Sequence, residues 1–237
     1  MSSDPHVLPH LEETVAATGR WLATVAQLSD EDVAAPSVLP GWTRGHVLTH
    51  LARNAAARTN LVHWAATGEE RPMYPSQEAR DAAVESGAGR PVGQHLEDAR
   101  QSSERLHRAA RGLSPDRWDT EVTRLPGGPP FPVHRVGPMR RTEVEVHHAD
   151  LGTTYTAADW PQDFVDHLLA RRRWELEADG VAVELGLTDR RTSVVTLPGG
   201  PRVSGATSDV VWWLLGRGSG DRLACSEGQL PDLGRWA

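Results

Sequence analysis

The sequence predicts an α+β fold in which a four-helix N-terminal domain precedes a smaller α+β C-terminal domain. Apolar residues recur at helical spacing through most of the first 155 residues. Beyond that point the chain changes to short segments rich in β-branched residues, separated by turns. The length of 237 residues also exceeds the usual size of one domain. We therefore predict two domains, at residues 1–155 and 156–237.

The N-terminal domain is predicted to consist of helices separated by breaks rich in proline and glycine. The first helix is expected at residues 5–28, and the second from about Thr43 to Thr67. A third helical region covers about 77–113, with an interruption near SGAGRPVG. The tract LPGGPPFPVHRVGP is expected to be a loop, because its prolines exclude a regular helix. The fourth helix follows as MRRTEVEVHHADLGT, and Gly152 stops it.

The C-terminal domain is predicted to mix helices and short strands. WPQDFVDHLLARRRWELEA has helical spacing, and SDVVWWLLGR is typical of a short capped helix. VAVELGL, TSVVTL, RVSGA and DRLACSE are strand candidates because β-branched and apolar residues dominate them between turns.

Composition excludes several classes of function. A net charge of −7 argues against nucleic acid as the main partner. The longest strongly apolar run, VVWWLL, is too short to span a bilayer, and the first residues lack the pattern of a signal peptide. We therefore expect a cytoplasmic protein with no membrane partner. The single cysteine, Cys225, excludes an internal disulfide, and the lack of lysine excludes Schiff-base chemistry.

The segment RRTEVEVHHADLG contains the pattern that points to a metal. Glu143 and His147 are four residues apart, so a helix presents them on one face. His46 and His50 in GHVLTH have the same spacing, and a histidine from a neighbouring helix would complete a set of three ligands with an open position. Spacing alone does not decide this, because an exposed Glu–His pair and a satisfied core histidine are both common.

The neighbouring polar residues are weaker candidates. His46 lies four residues before His50, and His148 follows His147 directly. We expect neither to be a ligand, although one of them could form a hydrogen bond with a ligand without contacting the metal. Glu145 is expected to be solvated or paired with an arginine.

The segments LPGWTRGHVLTHLARNA and RRTEVEVHHADLG together resemble the mycothiol-dependent maleylpyruvate isomerase family, a branch of the DinB-like metal-binding helical bundles. The resemblance continues through the proline-rich loop and into SDVVWWLLGRGSGD. It implies a divalent metal, usually zinc, bound by His50, Glu143 and His147. It also implies an arginine of the C-terminal domain that faces the metal. Arg217 matches this position best, and Arg222 is the alternative.

The resemblance implies that mycothiol, a low-molecular-weight thiol, is required for activity. The thiolate would add to the cis double bond of maleylpyruvate, the resulting single bond would rotate, and elimination would give fumarylpyruvate. A bound divalent ion lowers the pKa of a thiol, and an arginine such as Arg217 suits a dicarboxylate substrate. Cys225 is expected to be a small buried strand residue rather than the reactive thiol.

Two other functions remain open at this stage. The same metal and thiol would serve an S-transferase that joins mycothiol to another electrophile. A non-enzymatic metal-binding sensor is the third possibility, whereas a hydrolase has little support because no dedicated general base stands out. The metal itself is also open, since two imidazoles and a carboxylate suit zinc, nickel, cobalt or iron.

Overall fold

The computed structural model describes residues 8–233, and they divide into two compact units after Gly152. Helices and short strands both contribute, so the predicted α+β fold class is confirmed. No helix among the described residues is long and apolar enough to cross a membrane.

The first unit is built on four long helices. The helices of this unit, in chain order, are α1 (Leu11–Val25), α2 (Asp30–Ala34), α3 (Arg44–Thr67), α4 (Gln77–Gly87), α5 (Val92–Arg111) and α6 (Val136–Asp150). Helix α3 packs against α5 and α6, and α1 packs against α5 and α6, so these four form the bundle. The short helices α2 and α4 both pack against α3.

The core of the bundle contains buried polar side chains as well as apolar ones. One buried apolar cluster contains Trp21, Leu48 and Val144, and a second contains Leu61 and Val136. Helices α3 and α6 also carry buried polar side chains, namely Asn54, Arg58 and Arg140. Buried polar groups are costly unless they are hydrogen-bonded, and Asn54 Oδ1 accepts from Arg58 Nε at 2.9 Å and Arg140 Nη1 at 3.0 Å.

Two helices and the proline-rich tract differ from the sequence prediction. Helix α1 begins at Leu11 instead of residue 5, and residues 1–7 lie outside the described part. Helix α6 begins at Val136, earlier than predicted, because Pro138 falls in the first turn, where no amide donor is needed. The proline-rich tract is also not loop throughout. It contributes β2 (Pro130–Pro132), which pairs antiparallel with β1 (Glu121–Thr123).

The second unit combines two helices with a four-stranded sheet. Its elements are α7 (Gln162–Ala178), β3 (Glu184–Leu187), β4 (Thr192–Val195), β5 (Arg202–Gly205), α8 (Thr207–Leu214) and β6 (Ala224–Cys225). The strand order is β4-β3-β5-β6, with β3 and β5 parallel and the other pairs antiparallel. All four strand candidates of this region therefore contain a strand.

Candidate metal centre

Helix α3 begins at a well-defined cap, which fixes the direction of its first turns. Thr43 accepts a hydrogen bond from the backbone of His46, and His46 Nδ1 accepts from the backbone of Thr43 at 3.1 Å. This reciprocal arrangement satisfies two amides at the helix start. His46 is thus a capping residue, and His50 follows one turn later on the same helix.

His50, Glu143 and His147 converge at the contact between α3 and α6. Glu143 Oε2 lies 2.9 Å from His50 Nε2 and 3.5 Å from His147 Nε2. One ligand atom from each residue lies within 4.8 Å of the others. The two imidazole rings meet edge to face, with centroids 4.7 Å apart. The three side chains that the resemblance implies as metal ligands therefore lie together in the fold.

Each of the three side chains has a further partner on its far side. His147 Nδ1 donates to Asp150 Oδ2 at 2.8 Å, and Asp150 is fully buried. Arg58 Nη2 donates to Glu143 Oε1 at 3.2 Å. Arg80 Nη2 lies 3.1 Å from His50 Nδ1. Partners such as Asp150 and Arg58 fix the orientation of side chains that must act together.

The surroundings set distinct charge states for the three side chains. Burial raises the pKa of Glu143, but hydrogen bonds from His147 and His50 and the charge of Arg58 hold it well below its ordinary value. Burial lowers the pKa of His50 to about 4. Burial also opposes the charge on His147, yet its hydrogen bonds to Asp150 and Glu143 raise the pKa to about 9.

These donors fit a divalent ion. Two imidazole nitrogens and one carboxylate oxygen are ordinary ligands of zinc and related metals. Ligand atoms at about 2.0–2.2 Å from one ion lie roughly 3.3 Å apart in a tetrahedron, close to the two separations that Glu143 Oε2 makes. Three protein ligands leave a coordination position open. Because His147 must lose its proton to bind, we expect metal affinity to increase as pH rises toward about 9.

The other polar residues of the motif point away from this cluster. Glu145 is fully buried and forms an ion pair with Arg20 of α1. Of the two expected alternatives for Glu145, the structure therefore shows the arginine partner. His148 Nε2 forms a hydrogen bond with Thr24 Oγ1 at 2.8 Å. Neither residue belongs to the three-residue cluster.

The predicted residues of the second unit lie on or after its last elements. Arg217 follows α8, where Gly216 has a φ of 67° and the Arg217 amide donates to Trp212 O at 3.2 Å. Arg222 is 79% exposed and lies 3.8 Å from Asp209. Cys225 lies in β6 and is only half-buried, because β6 is a two-residue strand at the edge of the sheet. Cys225 is therefore a strand residue as expected, but the expectation that it is buried is wrong.

Sequence reasoning missed four residues beside the cluster, one of which is Arg58. Asp150 lies three residues after His147, a helical spacing that could have identified it. Arg80 comes from α4, and Trp42, whose ring centroid lies 5.8 Å from that of His50, precedes α3. Neither of these two has a spacing signal that relates it to His50.

The family model for the mycothiol maleylpyruvate isomerase N-terminal domain matches residues 14–152 of the chain. Two crystal structures are similar to nearly the whole chain: the mycothiol-dependent maleylpyruvate isomerase and a mutant of it with one histidine replaced by alanine. Each is 32% identical, with a TM-score of 0.86 and coverage of 96% of this chain and 95% of the matched chain. Among curated proteins, none matches significantly.

Proposed function

The chain belongs to the mycothiol-dependent maleylpyruvate isomerase family, and we propose that it converts maleylpyruvate to fumarylpyruvate with a divalent metal and mycothiol. The observation that carries this proposal is the convergence of His50, Glu143 and His147 within one bundle. A reduced low-molecular-weight thiol is a feature of the cytoplasm, and we propose that the protein acts there.

The proposed metal ligands are His50 Nε2, His147 Nε2 and Glu143 Oε2. When bound, the ion would stabilise the anionic form of a thiol and so supply a nucleophile at neutral pH. Zinc suits this donor set, as do nickel, cobalt and iron. Arg58 donates a hydrogen bond to the far oxygen of Glu143, and Asp150 orients His147 so that Nε2 faces the other ligand atoms.

Isomerisation requires that the double bond of the substrate become single long enough to rotate. Addition of a thiol across that bond forms a sulfur–carbon bond and a carbon–hydrogen bond. After rotation, elimination breaks both bonds, so the thiol and its proton are recovered. We propose that Arg217 binds a carboxylate of the substrate during these steps, because a guanidinium matches a carboxylate in planar geometry.

Metal content tests the ligand set directly. We expect about one divalent ion per chain in the wild-type protein and loss of the ion in His147→Ala. His63→Ala is the matched control, since His63 lies on the exposed face of α3 and contacts Glu69 instead of the cluster. Full retention of the ion by His147→Ala would contradict the assignment.

Turnover tests the reaction. The wild-type protein should isomerise maleylpyruvate only when mycothiol is added, as followed by absorbance. Cys225→Ser should keep most of this activity, since the reactive thiol comes from outside the chain. Turnover without added thiol would contradict the mechanism. If the protein instead joined mycothiol to another electrophile and did not isomerise maleylpyruvate, it would be an S-transferase. If it bound metal but had neither activity, it would be a sensor.

A further inference from the structure

Arg80 lies beside the proposed metal ligands although no sequence motif includes it. It is on α4, whose first turn is capped by Ser76. Its Nη2 donates to His50 Nδ1 at 3.1 Å, and its Nη1 donates to Asp81 Oδ1 at 2.6 Å. The side chain is 17% exposed, so it is partly accessible to solvent.

One edge of the Arg80 guanidinium has two hydrogen-bond donors, and only one of them has an acceptor in the described part of the chain. Nε and Nη2 form the edge with which an arginine binds a carboxylate through two parallel hydrogen bonds. On this edge Nη2 faces His50, whereas Nε is buried and has no acceptor among the residues that the structure describes. A buried donor without an acceptor costs free energy. A carboxylate bound to this edge would supply the missing acceptor.

The contact between Arg80 and His50 is also incompatible with a metal on His50 Nε2. A neutral imidazole carries one proton, and when Nε2 binds an ion that proton lies on Nδ1. Arginine is only a donor. Two donors would then face each other, so the Nε–Nη2 edge of Arg80 must turn away from His50 when the ligand set is complete.

The charges around the centre favour an anion on this side. Arg58 and Arg140 are almost completely buried, and both interact electrostatically with the carboxylate of Glu143. Arg80 adds a third guanidinium. Its own carboxylate partner, Asp81, is 55% exposed, and exposed ion pairs are weak.

We propose that Arg80 binds a carboxylate of the substrate through its Nε–Nη2 edge. The inference rests on the proposed function, in which the substrate is a dicarboxylate. It assigns to the metal-binding unit a substrate-binding residue that is separate from Arg217. Arg80 would also link the two events, since a metal on His50 Nε2 would release Nη2, the donor of this edge that contacts His50.

The test compares ligand binding and metal binding in the same variants. Arg80→Gln removes the charge, Arg80→Lys keeps the charge without the planar fork, and Arg71→Gln is the matched control on an exposed loop. The probe is pimelate, an unreactive dicarboxylate with as many carbon atoms as maleylpyruvate, titrated by calorimetry into zinc-loaded protein. Zinc affinity is measured by competition with a chelator.

We expect Arg80→Gln to bind pimelate about ten- to a hundredfold more weakly than the wild type, with zinc affinity unchanged or higher. Arg80→Lys should recover only part of the binding, and Arg71→Gln should match the wild type. KM for maleylpyruvate should rise in the same order.

Three results would overturn the inference: unchanged pimelate binding by Arg80→Gln, a parallel loss of zinc that shows Arg80 only supports His50, or no pimelate binding by the wild type. Failure of the proposed function would give a different result from failure of this inference. A wild-type protein that binds pimelate through Arg80 but does not isomerise maleylpyruvate would contradict the reaction and leave the carboxylate site in place.

Discussion

His147 meets a carboxylate at each of its ring nitrogens, and this arrangement determines what it can bind. Nδ1 donates to Asp150, while Nε2 faces Glu143. A histidine that ligates a metal through Nε2 needs an acceptor at Nδ1 to hold the ring and its tautomer. Asp150 supplies it, and its complete burial keeps water from competing for the hydrogen bond.

Asp150→Ala should therefore weaken metal binding although Asp150 is not a ligand. Loss of such an outer partner typically lowers metal affinity about ten- to a hundredfold. Asp150→Asn should lose less metal affinity, because the amide oxygen of asparagine still accepts a hydrogen bond from His147 Nδ1. Chelator competition measures the effect, with exposed Asp116→Ala as the control. Equal affinity in Asp150→Ala and the wild type would show that His147 is oriented by other contacts.

His107 on α5 should make the stability of the first unit depend on pH. It is 8% exposed, and burial, together with the charges of Arg140 and Arg111, lowers its pKa to about 4. The unfolded chain, with an ordinary pKa near 6.5, binds more protons between these values. Stability that is present above pH 6.5 is therefore lost as pH falls toward 4.

At about pH 5 this residue alone should reduce the free energy of unfolding by roughly 2 kcal/mol relative to about pH 7. His107→Gln does not titrate, so its unfolding free energy should fall less between these conditions. Urea denaturation of both proteins at the two pH values measures the difference. The same pH dependence in both proteins would assign the effect to other groups, such as His50, whose pKa is also lowered to about 4.

The sequence identified the residues that form the cluster but not those that support it. Glu143 and His147 are related by a helical spacing, and resemblance selected His50 from several histidines. Arg58 and Arg80 belong to helices α3 and α4, and only the packing of these helices brings them to Glu143 and His50. No local pattern encodes such a contact, which is why these partners were not predicted.

Among the elements, α3 and α4 approach each other closely, and glycine permits this approach. A Cβ on Gly45 of α3 would lie 2.0 Å from Ala88 O at the end of α4. A Cβ on Gly87 of α4 would lie 2.5 Å from Thr49 Cγ2 of α3. This contact sets the position of α4, which carries Arg80 toward His50.

Gly45→Ala should therefore destabilise the protein, although alanine favours helices. We expect the free energy of unfolding to decrease by about 1–3 kcal/mol, because Ala88 must be displaced. Gly19→Ala in α1 is the matched control, since its Cβ would meet nothing within 4 Å. That variant should gain about 0.5–1 kcal/mol. Urea denaturation measures both, and a stabilised Gly45→Ala would show that α4 can shift without cost.

The predicted long helices were found where periodicity extends over many residues. The errors occur where it does not. Strand β2 has only three residues, two of them proline, and it forms because Val122 pairs with Phe131 in a hairpin. The early start of α6 depends on the tolerance of a first turn for Pro138. Both outcomes follow from local geometry that composition does not specify.

At the scale of the whole molecule, the proposed metal ligands all belong to the first unit, and Arg217 belongs to the second. Arg217 is held by the end of α8. Gly216 adopts a φ of 67°, its amide donates to Trp213 O at 2.8 Å, and the next amide donates to Trp212 O at 3.2 Å. These paired bonds form a glycine-terminated helix end, which fixes the backbone from which the Arg217 side chain extends.

Arg217→Ala separates the contributions of the two units. Because no proposed ligand changes, the variant should keep its metal and its fold. If Arg217 binds a substrate carboxylate as the reaction proceeds, kcat/KM for maleylpyruvate should fall about a hundredfold, which corresponds to roughly 3 kcal/mol of lost charge stabilisation. Arg222→Ala, at an exposed position, should have a weaker effect. The measurements are kcat/KM, metal content and circular dichroism for both variants. If Arg217→Ala kept wild-type turnover, Arg217 would have no role in the reaction, and Arg80 would remain as the proposed carboxylate-binding residue. If Arg222→Ala lost more activity than Arg217→Ala, the role would belong to Arg222.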